Sequence, residues 1–205
     1  MDNIINIMDK DISIIETFYL ILIEKLIEKN KELFIIPENK KGPETKAKIW
    51  SMMQTNITTM IYNNINFKNE PIFHLNSSDI LLKTYDAFLN IDVKTVLEKD
   101  SDSKFNKICL RTAQTSINKF YLKDNKEING LLNPFEDGLP NLSYIIKIVY
   151  DENYNTKEIH IYCIPNGNHP KYKNILKCKI QPKSKDGIRL DTDEIFDKYY
   201  LKIIF

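Results

Sequence analysis

The sequence predicts an α/β fold in which a central mixed β-sheet is flanked by helices. Three observations carry that expectation. Residues 10–31 and 43–61 each repeat apolar side chains at helical spacing. Ser77–Val96 alternates polar and apolar residues on both sides of a polar step, the pattern of a β-hairpin. Leu142–Tyr150 and Glu158–Ile164 are short apolar runs joined by the turn-forming stretch Asp151–Thr156.

The totals set the frame. A length of 205 residues suits one domain with a sizeable core. Within it we expect an N-terminal helix over 1–36, a central part over 40–165 and a basic part over 166–205. Hydrophobic content of 42% and charged content of 28% are globular values, and five glycines leave little room for flexible linkers. A net charge of +1 excludes a protein that coats nucleic acid nonspecifically, so any contact with nucleic acid must come from local patches. Cys109, Cys163 and Cys178 fit neither a disulfide framework nor a zinc site and point to a reducing compartment. No apolar run approaches a membrane span. Met1–Lys10 lacks a signal-peptide layout, so the cytoplasm is expected. There is no internal repeat, P-loop, dinucleotide fingerprint, or Ser or Cys nucleophile motif.

Taken in order, the first helix carries a broad apolar stripe of Ile14, Ile15, Phe18, Tyr19, Ile21, Leu22 and Leu26, suited to core packing or to a subunit contact. Phe34-Ile35-Ile36 reads as a short extended piece. Lys40-Lys41-Gly42-Pro43-Glu44 opens the second helix, with Pro43 at home in the first helical position. Ala47, Trp50, Met53, Ile57, Met60 and Ile61 form its apolar face. Glu44 falls in the first turn, where the helix dipole favours a carboxylate. Ile65–Leu75 reads as loop and strand, and its His74 as a surface or near-core residue. Glu98–Lys107 is charged and aperiodic, hence a loop. Ile108–Phe120 carries Arg111, Thr112, Gln114, Thr115, Ser116 and Asn118. Arginine suits the acceptor edge of guanine, Gln and Asn suit adenine, and Ser and Thr hold phosphates. The same set would also serve as a polar helix face or a capping run. Lys119–Leu142, with Gly130, Pro134, Gly138 and Pro140, reads as a long connection. Leu142–Tyr150 is nearly unbroken in its apolar character and is expected at the centre of the sheet. In 166–189, Lys171, Lys173, Lys177 and Lys179 share one parity, so an extended segment presents them together. That row suits phosphate tracking, or the protection of an edge strand. Asp191-Thr192-Asp193-Glu194 reads as the start of a helix running to about Tyr200.

The chemistry concentrates in the hairpin. With the turn at Asp86-Ala87, Asp79 is expected opposite Lys94 and Leu81 opposite Asp92. One face then carries Asp79, Leu81, Lys83, Tyr85, Phe88, Asn90, Asp92 and Lys94; the other carries Ile80, Leu82, Leu89, Ile91 and Val93, with no charge. The apolar face fixes the register, since a one-residue slip would bury Asp92 and Lys94. Two neighbouring carboxylates each disfavour the other's ionisation. A divalent cation removes that cost, and paired hard oxygen ligands suit Mg²⁺. A lysine beside such a site can orient a water for attack on phosphorus. An ordinary ion pair on a solvated hairpin face is the plainer reading.

Asp79 followed by Asp92-Val93-Lys94 resembles the PD-(D/E)xK nuclease signature, and the surrounding chain is similar to type II restriction endonucleases of the EcoRV and HincII kind. Asp79-Ile80-Leu81-Leu82, Ile91-Asp92-Val93-Lys94-Thr95, the stretch Phe105–Ile117 and Pro134-Phe135 ahead of Tyr144–Tyr150 carry the likeness, over roughly residues 40–150. Ser78 stands where the signature has proline. The resemblance implies a restriction-endonuclease-like core and Mg²⁺-dependent hydrolysis of double-stranded DNA to 5′-phosphate and 3′-hydroxyl ends. It also implies a homodimer on a palindromic site. In its terms, Asp79, Asp92 and the Val93 carbonyl hold the metal, and Lys94 positions the attacking water. Glu44 matches an accessory glutamate near the start of a helix, with Glu38 a weaker substitute. Lys104 and Lys107 face the phosphate backbone. Two other readings compete: a structure-specific repair or resolvase-type nuclease, and a noncatalytic DNA-binding or immunity protein.

Overall fold

The computed structural model describes the backbone of residues 2–38, 45–66, 78–111, 114–117, 119–121, 127–130, 132–168, 176–180, 187–191 and 199–205. Side chains are described at 12–38, 48–66, 78–111, 114–117, 130, 132–168 and 199–205. Apolar periodicity produces two helices, α1 (Asp2–Lys29) and α2 (Thr45–Asn64), with a 3-10 turn at Lys31–Phe34 between them. The strands that follow are β1 (Ile80–Lys83), β2 (Phe88–Leu97), β3 (Lys107–Arg111), β4 (Lys119–Tyr121), β5 (Glu127–Asn129) and β6 (Phe135–Glu136). They continue with β7 (Leu139–Tyr150), β8 (Thr156–Ile164), β9 (Leu176–Ile180), β10 (Gly187–Asp191) and β11 (Tyr200–Ile204).

The main sheet runs β1-β2-β7-β8-β11, with β6 added beside β7. As expected from its unbroken apolar character, β7 lies inside the sheet, buried along nearly its whole length. It pairs parallel with β2 and antiparallel with β8. A parallel neighbour demands a crossover, and the crossover from β2 to β7 contains β3, β4 and β5. A second excursion, between β8 and β11, contributes β9 and β10. Together they form the second sheet, β3-β10-β9-β4-β5. Helix α1 packs on β7, β8 and β11, and α2 on β2. Ile23, Ile27, Met53, Ile57 and Ile61 meet Ile91, Val93, Ile146 and Ile161 in one core. Among the described residues no helix is long and apolar enough to cross a membrane.

Two turns set local geometry. Asp137 (φ 49°) and Gly138 (φ 76°) both adopt positive φ between β6 and β7, the two-residue hairpin turn that an Asp-Gly pair favours. At the β1–β2 turn the Thr84 N–H donates to the Ala87 carbonyl at 2.8 Å, and the Thr84 hydroxyl bonds both the carbonyl and the N–H of Ala87. This places the turn at 84–87 and pairs Leu81 with Asn90 and Ile80 with Ile91. The expected register is therefore off by two residues: Asp79 comes level with Asp92, not Lys94. An even shift keeps the faces, so Ile80, Leu82, Leu89, Ile91 and Val93 are all in the core. The opposite face is largely covered too, for Phe88, Asn90 and Asp92 are buried as well.

Other expectations change. Helix α1 starts earlier than expected and buries Ile12, Tyr19, Leu20, Ile23, Leu26 and Ile27, while Ile14, Phe18 and Ile21 of the expected stripe are exposed. The Phe34 end of the expected extended piece is a 3-10 turn. Ile108 lies in β3, held antiparallel to β10, so the polar-helix-face alternative for this stretch does not hold at its start. The connection before β7 contains β4, β5 and β6. The expected C-terminal helix has Asp191 in β10 and Tyr200 in β11, where pairing with β8 supplies ladder bonds; residues 192–198 lie outside the described ones. So do His74 and Lys40–Glu44.

Candidate metal centre

Ladder pairing between β1 and β2 stops at Ile80 and Ile91. The edge groups of Val93 thus lie beyond the last paired residue, and two side chains satisfy them. Asp79 Oδ2 accepts the Val93 N–H at 2.6 Å, and the indole Nε1 of Trp50 donates to the Val93 carbonyl at 3.0 Å. Gln54, one turn along α2 from Trp50, brings its Nε2 to 3.5 Å from Asp79 Oδ1. Asp79 is therefore held at the end of β1 by the backbone it serves.

Asp92 points from the other side of the β2 ribbon than Val93, away from the core of isoleucines. It is 3% exposed. Gln114 covers it, donating from Nε2 to Asp92 Oδ1 at 2.6 Å while its own Oε1 accepts the Arg111 N–H at 2.9 Å. Lys94, two residues on and so on the same face, places Nζ 2.6 Å from Asp92 Oδ2. That contact is an ion pair in distance, but it lies off hydrogen-bonding direction and leaves the buried Oδ2 without a hydrogen-bond partner. We therefore read it as a charge contact. The two aspartates are close enough to act on each other's ionisation. Burial first, then Asp79, pushes the Asp92 carboxyl up to about 6, with the Lys94 charge pulling it back. Burial raises Asp79 too, against the Val93 N–H and Lys94.

Asp79, Asp92 and the Val93 carbonyl are hard oxygen donors converging from two strand segments. A buried carboxylate oxygen in charge contact with Lys94, beside a second carboxylate, is an arrangement a divalent cation can complete. The donor set fits Mg²⁺ on those grounds. Among the described residues no three His, Cys, Asp or Glu side chains group to hold a metal ion.

The structure brings Asp79, Asp92, Val93 and Lys94 together. Glu44, Thr112, Asn118, Lys171 and Lys173 lie outside the described residues, as do the side chains of Lys177 and Lys179, whose backbone is in β9. Lys104 and Arg111 are exposed and Lys107 half-buried. Gln114, Thr115 and Ser116 are buried: Gln114 bonds Asp92, and Ser116 Oγ accepts the Gly167 N–H at 3.0 Å. Their polar atoms face inward here, as support for the site. Sequence reasoning missed Trp50 and Gln54. The available signal was a tryptophan at the edge of the α2 stripe with a glutamine four residues on, hence on one helix face, and tryptophan keeps a polar N–H that seeks a partner.

No family model and no curated protein matches the chain. Solved structures similar to it include two restriction endonucleases. One is the restriction endonuclease BglI bound to its DNA recognition sequence, with a TM-score of 0.73 and 16% identity, covering 99% of this chain and 95% of that one. The other is the tetrameric restriction endonuclease SfiI bound to cognate DNA, with a TM-score of 0.66 and 13% identity, covering 93% of this chain and 83% of that one. The chain has a restriction-endonuclease-like fold.

Proposed function

We propose that this protein is a type II restriction endonuclease that hydrolyses double-stranded DNA at a short specific sequence, with Mg²⁺, leaving 5′-phosphate and 3′-hydroxyl ends. The observation that carries this reading is the Asp79–Asp92 pair, half-buried at Asp79 and buried at Asp92, with Lys94 against it, set in a fold shared with DNA-bound endonucleases. Asp79, Asp92 and the Val93 carbonyl would hold the cation, with Glu44 as an accessory. When bound, Mg²⁺ supplies Lewis-acid activation and offsets charge on the phosphate in the transition state.

The chain's own residues do the rest. The Lys94 side chain is 36% exposed and its ammonium lies 2.6 Å from Asp92 Oδ2, so the charge stands between the carboxylate and solvent. It orients the attacking water and stabilises the hydroxide that forms. Asp92 is held by Gln114 on one oxygen, and the other, beside the Lys94 ammonium, would meet the cation. Lys104, Lys107 and Arg111, with Lys171, Lys173, Lys177 and Lys179, contact the duplex, and a second copy of the chain completes a two-fold complex on a palindromic site.

Digestion of a plasmid library with Mg²⁺, followed by sequencing of the ends, tests this. Ends gathering at one short sequence, lost in Asp92→Ala while duplex binding in Ca²⁺ persists, are the expected result. Cutting confined to branched DNA would move the assignment to a structure-specific nuclease. No cutting across the whole pool would leave a binding protein.

A further inference from the structure

The backbone N–H and carbonyl of Val93 are both held by side chains rather than by β1. Asp79 takes its N–H at 2.6 Å and Trp50 its carbonyl at 3.0 Å. Trp50 is 39% exposed, whereas Met53 and Ile57 on the same helix are fully buried. Burial therefore does not explain its position as it does theirs; the hydrogen bond does. An indole N–H is a donor only and cannot bind a cation, while a carbonyl oxygen has two lone pairs. Trp50 engages one and leaves the other. Gln54, on the same face of α2, reaches Asp79 Oδ1 at 3.5 Å. One helix face thus touches two of the three oxygen donors assigned to the cation.

We propose that Trp50 is a positioning residue of the cation site: its indole N–H aims the Val93 carbonyl, and its emission reports whether the site is filled. The inference rests on the reading of Asp79, Asp92 and Val93 as ligands. An edge carbonyl without a strand partner is otherwise free to turn toward water, and the ordering of a ligand before binding is what a supporting hydrogen bond contributes. The sequence contains one tryptophan, so emission comes from this position alone.

The test uses the full chain with Mn²⁺ and no DNA. Calorimetric titration should give a saturable site, and the wild-type emission should shift with the same midpoint. Asp92→Asn should remove both. Trp50→Phe should keep the metal-free melting temperature within a few degrees and weaken Mn²⁺ binding by about tenfold, the usual effect of losing a support to a ligand. Placing 3-benzothienylalanine at position 50 keeps the bicyclic ring and removes only the N–H; it should reproduce that loss. Wild-type Mn²⁺ affinity in both substituted proteins would overturn the positioning role while leaving the site intact. Full Mn²⁺ binding by Asp92→Asn would instead overturn the ligand reading, and this inference with it.

Discussion

Asp92 carries its carboxyl inside the protein, next to the carboxyl of Asp79, with Gln114 and Lys94 as its polar neighbours. Its pKa is raised to about 6 from the ordinary 3.8. The sign of the consequence follows from proton counting. Between those values the folded protein keeps a proton that the unfolded chain has released, so metal-free stability falls as pH rises through that window, by about 3 kcal/mol if Asp92 acts alone. Glu16, buried in α1 and raised to about 7, adds a fall in the same direction. Asp92→Asn isolates the first effect: in urea unfolding with EDTA, its pH slope between 4 and 6 should be flatter than that of the wild type. The same proton must leave for a cation to bind. Mn²⁺ affinity should therefore rise about tenfold per pH unit below about 6 and level off above it. Gln114→Leu removes a donor that favours the charged carboxylate. It should move that midpoint upward in the same calorimetric titration, and an unmoved midpoint would show that Gln114 does not act through Asp92.

At the scale of elements, the segment 114–117 lies over β2 because the turn after β8 holds it. The buried Asn166 donates its N–H to Glu16 Oε1 at 2.6 Å and its side-chain amide to the carbonyls of Pro134 and Asn141 at 2.9 and 2.8 Å. Next to it, the Gly167 N–H bonds Ser116 Oγ. A Cβ at Gly167 would stand 1.8 Å from the Ser116 carbonyl oxygen and 2.8 Å from its carbonyl carbon, both backbone atoms that cannot rotate away. Gly167→Ala should cost about 3 kcal/mol of stability, as forced backbone displacement in a packed region does. Because Ser116 is two residues from Gln114, the substitution should also lower DNA cleavage at temperatures where the protein remains folded; urea unfolding and an initial-rate assay separate the two effects. Lys147 performs a comparable task on β7. Its buried ammonium donates to the carbonyls of Asp102, Lys104 and Lys107, fixing the loop that leads into β3. Burial holds its pKa down, to about 8.

For the whole molecule, the proposed function sets one group of Asp79, Asp92 and Lys94 per chain against the two strands of a duplex. The exposed Ile14, Phe18 and Ile21 of α1 are the apolar residues of the expected stripe that the core leaves out, at 66%, 55% and 39% exposure. If they join two copies, sedimentation equilibrium should give the mass of two chains and Phe18→Glu should lower it toward one; a dimer undisturbed by Phe18→Glu would place the contact elsewhere. Much of this architecture could be read in advance. The alternation of Ile80, Leu82, Leu89, Ile91 and Val93 settled which face of the hairpin enters the core, and the unbroken run in β7 settled its place inside the sheet. Asp79, Asp92 and Lys94 were legible as a group because parity survives an even shift in register. The sequence could not supply that shift, because it depends on the Thr84 hydroxyl closing the turn. Nor could it show that β3, β4, β5, β9 and β10 build a second sheet, since partners such as β3 and β10 are remote in sequence and meet only through the chain's return. Periodicity by itself determined faces and the identity of the paired carboxylates, because those are local properties. Tertiary structure alone decided the burial of Asp92, the use of Gln114 as its support and the reach of Trp50 to Val93, because each requires groups from separate elements to share one place.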